Sequence, residues 1–238
     1  MTALRERRAD LLTLLGVQEA EGFWVMVGQS AMFLGLMTLV GNAEAMSQSR
    51  NKWEKGANGQ FLLMRRDVYD ALDGHAAVRH HVAEDIMFAR VWTEAGRTVH
   101  ALSAQDHFAT RMYTSLGELI GGWRKNVWAG SAFLWRDYPV LTFFLRLALP
   151  VAPIIGWIPI IAFLLGATGV VSPWWTMFGA AGYIYETVML VPIFRHMRFP
   201  AFCALTYPLG CVLVSYIFFT AVLKGGQTEW KGREYTVG

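Results

Sequence analysis

The sequence predicts a mixed α/β domain joined to a set of transmembrane helices. The first observation is charge segregation. No Asp, Glu, Lys or Arg occurs from Leu147 to Tyr185, and none from Phe199 to Leu223. Such runs match the ~20 apolar residues that a helix needs to cross a bilayer. The second is composition: 54% of residues are hydrophobic and only 16% are charged, against roughly 25% charged in soluble domains. The third is the first half of the chain. There, short apolar runs alternate with Gly, Asp and Arg, the punctuation of short strands and helices.

Taken in order, residues 3–15 read as a short amphipathic helix, with Leu4, Leu11, Leu12, Leu14 and Leu15 set against Arg5, Arg7, Arg8 and Asp10, and with Gly16 as its stop. Gly22 to Ala43 is uncharged and long enough to span a membrane. Its Gly28, Gln29, Ser30, Gly35 and Gly41 favour instead a helix lying in the interface. Residues 44–58 are polar and read as a loop. Gly59 to Arg66 contains an apolar run bounded by Gly and Arg, the pattern of a buried strand. Asp67 to Leu72 reads as a short helix that Asp67 can cap, and Asp73-Gly74 as a turn.

Val82 to Ala95 is a helix by its apolar spacing, stopped by Gly96. Thr98 to Leu102 is a short strand, and Ser115 to Trp128 a further helix. Three apolar segments follow, about 147–168, 174–194 and 200–223. Pro150, Pro153 and Pro159 are placed to break the first of them. The turn from Arg195 to Pro200 is basic, which puts it on the cytoplasmic side. The expected division is a catalytic part over 1–138 with an interfacial segment at 22–43, membrane helices over 139–223 and a polar tail over 224–238.

A net charge of +3 is too small to argue for nucleic acid as a partner. Arg124, Lys125, Arg136, Arg146, Arg195 and Arg198 flank the apolar segments, as cations facing anionic lipid do. The only cysteines, Cys203 and Cys211, sit in an apolar run and read as packing residues, with neither a disulfide framework nor a zinc spacing. The first twenty residues hold several charges and no apolar core, so no secretory signal is expected.

Glu84-Asp85 opens the 82–95 helix. An acid there is favoured by the helix dipole and is usually a cap. It can also be a general base that takes the proton of an attacking hydroxyl. Trp123-Arg124-Lys125-Asn126 fits an interfacial anchor of aromatic and cations. It equally fits a site where cations stabilise a diphosphate leaving group and the Trp ring stacks on a sugar. His80-His81 ahead of Glu84-Asp85 has the spacing of metal ligands if His81 and Asp85 share a helix, but no further ligands cluster with them, and no metal site is assigned. Glu186 interrupts an apolar run, where a carboxyl is costly and must face protein, a headgroup or a cavity.

The order of these motifs is more specific than any one of them. Gly59-Gln60-Phe61-x-Leu63-x-Arg65-Arg66, then Tyr69 and Gly74-His75, then Glu84-Asp85-x-x-x-Ala89, resembles the second half of a membrane-bound family 2 glycosyltransferase. Thr110-Arg111-Met112-Tyr113-x-Ser115-Leu116, Gly122-Trp123-x-Lys125-Asn126 and the closing Trp230-Lys231-Gly232-Arg233-x-Tyr235 are similar to the branch related to ceramide glucosyltransferase and to hopanoid-associated glycosyltransferases. The resemblance implies part of a nucleotide-sugar-binding (GT-A-like) domain and inverting transfer. It makes Asp85 the base, with Glu84 beside it, and sets Gly59, Gln60 and Arg65 near the acceptor. Trp123, Arg124, Lys125 and Asn126 take the place of the Q-x-x-R-W motif, although Trp123 here precedes the cation. The family's D-x-D, which holds a divalent Mg or Mn on the donor diphosphate, does not occur in this sequence.

The expected protein is therefore the acceptor-side and membrane part of an inverting glycosyltransferase of the bacterial inner membrane, its catalytic part cytoplasmic. Its partners are a nucleotide-sugar donor and a lipid hydroxyl, and alone it is expected to be inactive, lacking the nucleotide-binding half. The alternatives are a non-enzymatic membrane subunit or scaffold whose carboxylates are caps, and a small transporter or metal-handling protein with Glu186 on its path.

Overall fold

A computed structural model of the chain describes residues 2–49, 55–79, 81, 83–135, 137–225, 227–230 and 233–236. The fold is mixed α/β with a majority of helix. It divides into two compact units, one formed by residues 1–19 and 35–111, the other by 20–34 and 112–236. The boundary expected at 138 falls inside the second unit.

The first unit begins with α1 (Thr2–Glu6) and β1 (Leu11–Leu15). This corrects the single helix expected over 3–15. Leu11, Leu12, Leu14 and Leu15 fit either period, and distant pairing decides for the strand. β1 lies between β3 (Leu62–Met64), antiparallel, and β4 (Val99–Ser103), parallel. A strand flanked on both sides reads as a near-continuous apolar run. β2 (Val17–Glu19) and β5 (Ala109–Arg111) pair in parallel as a second small sheet that the sequence did not announce.

α2 (Phe23–Val40) contributes to both units, and α3 (Ala43–Gln48) follows it. The loop expected over 44–58 is corrected here by α3; residues 50–54 of it lie outside the described residues. Asn42 caps α3 by accepting the Ala45 N–H at 2.9 Å. α3 also closes the outer edge of β4. The Ser47 hydroxyl accepts the Ala101 N–H at 2.8 Å, and Lys55 Nζ donates to the Val99 carbonyl at 2.9 Å. An edge satisfied in this way cannot template another strand.

α4 (Arg66–Ala71) and a 3₁₀ turn (Gly74–Val78) lead to α5 (Glu84–Glu94). Asp67 makes no cap of α4; it pairs with Arg65 instead. α5 ends where Gly96 takes φ +72, as its sequence predicts. Phe88, Ala89 and Trp92 of α5 are buried with Leu11, Val99 and Ala101, and this is the unit's core.

The second unit holds α6 (Leu116–Trp135), α7 (Pro139–Ala148), a 3₁₀ turn (Ala152–Trp157), α8 (Ile158–Ala167), α9 (Trp174–His196), α10 (Phe202–Leu205) and α11 (Tyr207–Lys224). β6 (Gln227–Trp230) and β7 (Arg233–Thr236) form a hairpin in the polar tail. The prolines do break the first apolar segment, between α7 and α8. Arg146 ties α7 to α6: its guanidinium lies 4.0 Å from the Trp128 ring and donates from Nε to the Ser131 hydroxyl at 3.1 Å.

Among the described residues, four segments are long and apolar enough to cross a membrane: Phe23–Gln48, Pro139–Ala167, Trp174–His196 and Tyr207–Lys224. The last three leave large apolar side chains uncovered, among them Phe144, Ile155, Trp174, Phe178, Tyr185 and Phe219. A surface of that kind is stable against lipid and aggregates in water. The Phe23–Gln48 segment hides far more of itself inside the protein than Pro139–Ala167 or Trp174–His196 do.

Candidate functional site

The centre of the first unit's polar chemistry is a tight turn, Asn58 to Phe61, closed by Phe61 N–H donating to the Asn58 carbonyl at 3.1 Å. β1 holds this turn through one side chain. Thr13 is fully buried, and its hydroxyl accepts the Asn58 N–H at 2.8 Å while facing the carbonyl oxygens of Phe61 at 3.1 Å and Asn58 at 3.2 Å. A buried hydroxyl of this kind must be bonded or it costs free energy, and here the turn satisfies it.

The turn presents the Gly59 N–H to Asp85, whose Oδ2 accepts it at 2.8 Å. Oδ1 accepts the N–H of Ile86 at 2.9 Å. The Asp85 carboxylate is thus oriented from both sides by backbone donors at the start of α5. A Cβ on Gly59 would stand 3.2 Å from Oδ2, so the close approach is one that glycine allows. Glu84, one residue earlier, is exposed.

Gln60 faces β2. Its Nε2 donates to Gln18 Oε1 at 2.9 Å, and Gln18 Nε2 returns a bond to Gln60 Oε1 at 2.7 Å. Asn58 Nδ2 also donates to Gln60 Oε1, at 3.0 Å. The Gln60 amide therefore pins the turn to the small sheet. Arg65 is occupied as well. It forks onto Asp67, with Nε to Oδ1 at 3.1 Å and NH2 to Oδ2 at 2.6 Å, and reaches Asp10 at 3.4 Å. The Arg65 fork holds the Asp67 carboxyl below its usual range. Asp10 is buried and accepts the Thr98 N–H at 2.9 Å, which ties β3 and β4 to the start of β1.

In the second unit, α6 carries the other predicted residues. Trp123 is buried in a cluster with Val25, Met32, Tyr113, Leu119, Val214 and Ile217. Its indole N–H donates to Gln29 Oε1 at 3.0 Å, and Phe33 meets its ring edge-on. Gln29 is itself buried and also approaches the Met112 sulfur at 3.8 Å. Gly122 is required beside it, because a Cβ there would lie 2.3 Å from the Tyr113 ring. Burial pushes the Tyr113 phenol up, so it stays protonated. The next turn holds Arg124, Lys125 and Asn126, all half-buried. The Arg124 Nε is buried and has no hydrogen-bond partner among the described residues.

A glycosyl transferase family 21 model matches residues 12–238 of the sequence. The chain belongs to that family. Its motif resemblance to membrane glycosyltransferases is thereby upheld for nearly its whole length. It is also 25% identical, over 88% of its own length, to a 4,4'-diaponeurosporenoate glycosyltransferase of Staphylococcus aureus (strain MRSA252). The corresponding protein of the bovine strain RF122 / ET3-1 is 24% identical over the same share, and that of Staphylococcus haemolyticus is 29% identical over 43% of this chain. The match covers 55% of each Staphylococcus aureus protein, so the chain spans about half the length of those relatives. No solved structure gives a significant match.

In this family 21 chain, no group of three or more His, Cys, Asp or Glu is placed to hold a metal ion among the described residues. The D-x-D to which the resemblance assigns the divalent metal does not occur in this sequence. The helical spacing of His81 and Asp85 is also corrected. α5 starts at Glu84, so His81 lies before the helix, and His80 lies outside the described residues. The sequence does not single out Thr13, Gln18, Asn58 or Gln29 as site residues. The amides on either side of Gly59 were the available signal for the turn. Nothing local marks Thr13, and Gln29 shows only as a polar residue in an apolar run; their partners lie 45 and 94 residues away.

Proposed function

We propose that this chain supplies the acceptor side and the membrane part of an inverting transfer from a nucleotide-sugar to a lipid hydroxyl. The acceptor oxygen bonds to the anomeric carbon, the bond to the diphosphate breaks, the nucleoside diphosphate leaves, and Asp85 takes the hydroxyl proton. The observation that carries this reading is the Asp85 carboxylate, held by the Gly59 and Ile86 N–H groups. A general base works only when it is aimed, and a glycine turn braced by a buried Thr aims it. Gly59 and Gln60 shape that turn, Arg65 braces the strand behind it, and Glu84 stands at its exposed rim.

Arg124, Lys125 and Asn126 are assigned to the diphosphate. The unpartnered Arg124 Nε supports this, because a phosphate oxygen supplies the acceptor it lacks. Trp123 is assigned a positioning role: its ring is enclosed, and Gln29 fixes it. α2 is read as lying in the interface, supported by the burial of Gln29 and Ser30 inside the protein. The catalytic part is read as cytoplasmic, on the inner membrane, a reading that the basic turn at Arg195 to Arg198 supports. The family 2 ceramide glucosyltransferase-like branch is the finer affiliation we infer from the motifs.

A second reading has its own observation. Both Asp85 oxygens are bonded to backbone, which also suits a structural cap in a non-enzymatic membrane subunit.

The test joins this chain to a D-x-D-bearing nucleotide-binding half and supplies labelled nucleotide-sugars with a lipid extract. The expected product is a labelled glycolipid, while the 238-residue chain alone stays at background. A joined, folded protein that labels no lipid with any donor sinks the enzymatic reading. Robust turnover by the chain alone removes the claim that it needs a separate donor half.

A further inference from the structure

Within the apolar helices of the second unit, one polar cluster is left unexplained by the chemistry above. Three elements converge on Gly156 of the second 3₁₀ turn. A Cβ built there would stand 2.8 Å from the Cys211 sulfur, 3.0 Å from the Tyr207 ring and 3.6 Å from Glu186 Oε1. Glycine is what lets α11 and the α9 carboxyl meet at this point. Trp157, the next residue, locks the arrangement by donating its indole N–H to the Pro208 carbonyl at 2.8 Å. The Glu186 Oε2 atom is buried and has no hydrogen-bond partner among the described residues.

Such a group inside a membrane helix is expensive and is retained where something binds it. The residue as a whole is only half-buried. Beside it on α9, Tyr185 and Met189 are exposed. Part of the Glu186 side chain therefore lies at the surface that lipid covers, with its Oε2 beneath it.

We propose that Glu186 is a binding point for the hydroxyl of a membrane-dissolved long-chain alcohol. The ligand's class follows from the lone carboxyl. An ionised Oε2 needs a donor and a protonated one needs an acceptor. A hydroxyl is both, whereas an ammonium serves only the first state and an ester carbonyl only the second. An apolar chain suits the exposed α9 side chains. The identity of this alcohol as an acceptor lipid rests on the proposed function; its binding does not.

The experiment therefore needs no sugar transfer. Purified protein in detergent is treated with dicyclohexylcarbodiimide, an apolar reagent for carboxyl groups in apolar surroundings, and modification of the Glu186 peptide is measured by mass spectrometry. The expected result is modification of Glu186 that hexadecanol suppresses by about tenfold, while hexadecane at the same concentration leaves it unchanged. Absence of modification at Glu186, equal modification with the alcohol, or equal protection by the alkane each overturns the proposal. A protein that transfers sugar but shows no protection loses this site alone; one that shows protection but no transfer keeps it.

Discussion

Thr13 shows how one buried side chain can set the geometry of another that lies elsewhere in the chain. Its hydroxyl holds the Asn58–Phe61 turn, and the turn aims the Gly59 N–H at Asp85. Replacing it by the isosteric Val leaves the Asn58 N–H without its acceptor, a loss of roughly 1–3 kcal/mol for a buried donor. Thr13→Val is expected to lower unfolding stability by about that amount, and Thr13→Ser by less than half of it. Chemical unfolding of the purified variants decides; equal stability of the Val variant and wild type would show that the turn stands without Thr13. The residue scale is also where the sequence was least legible. Asp85 could be singled out because its motif is contiguous, but Arg65 looked like an acceptor-side cation. Only the fold shows it neutralised by Asp67 and Asp10. Trp123 looked like a stacking platform, and only Gln29 reveals it as an anchored core ring.

At the scale of elements, helices with strong local signals were readable. α5 has its apolar face and its Gly96 stop, α9 is an apolar run broken only by Glu186 before its basic end, and α11 lies in an uncharged run bounded by Arg198 and Lys224. β1 was not readable, because Leu-rich sequence suits both periods and the choice is made by β3 and β4 far along the chain. α3 was hidden by its brevity and polar composition, although it closes the edge of β4. That edge makes a pH-dependent prediction. His100 on β4 has its pKa pushed below 6.5, first by burial and then by the positive charges of Lys55 and Arg7. Above pH 6.5 the ring is neutral in both folded and unfolded chains. As pH falls from there through the depressed folded value, the unfolded chain takes up the proton first, and stability is lost. Melting temperature measured from about pH 7.5 to about pH 5 should therefore fall less steeply for His100→Gln than for wild type. Parallel curves would show that His100 does not titrate against folding.

For the whole molecule, charge segregation was legible from the first inspection because a bilayer imposes it over twenty residues at a time. What composition could not deliver was the division into units, since α2 belongs to both and is partly enclosed by protein. The proposed orientation rests on the basic turn after α9. The two native cysteines are buried, so an engineered thiol reports alone. In intact cells, Ser172→Cys is expected to react with an impermeant maleimide, and His196→Cys only after the membrane is opened; the opposite pattern would invert the topology.

In the proposed transfer Asp85 takes the acceptor proton. The most direct measurement is the rate of sugar transfer to lipid by the chain joined to a D-x-D-bearing half, with Asp85 and with Asp85→Asn compared at equal folded protein. Asn keeps an oxygen able to accept the Gly59 N–H but cannot take up a proton at neutral pH. The expected result is a fall of roughly 10²–10⁴ in rate, the contribution of a positioned general base. Transfer by Asp85→Asn at the unaltered rate would contradict it and leave Asp85 as the cap of α5.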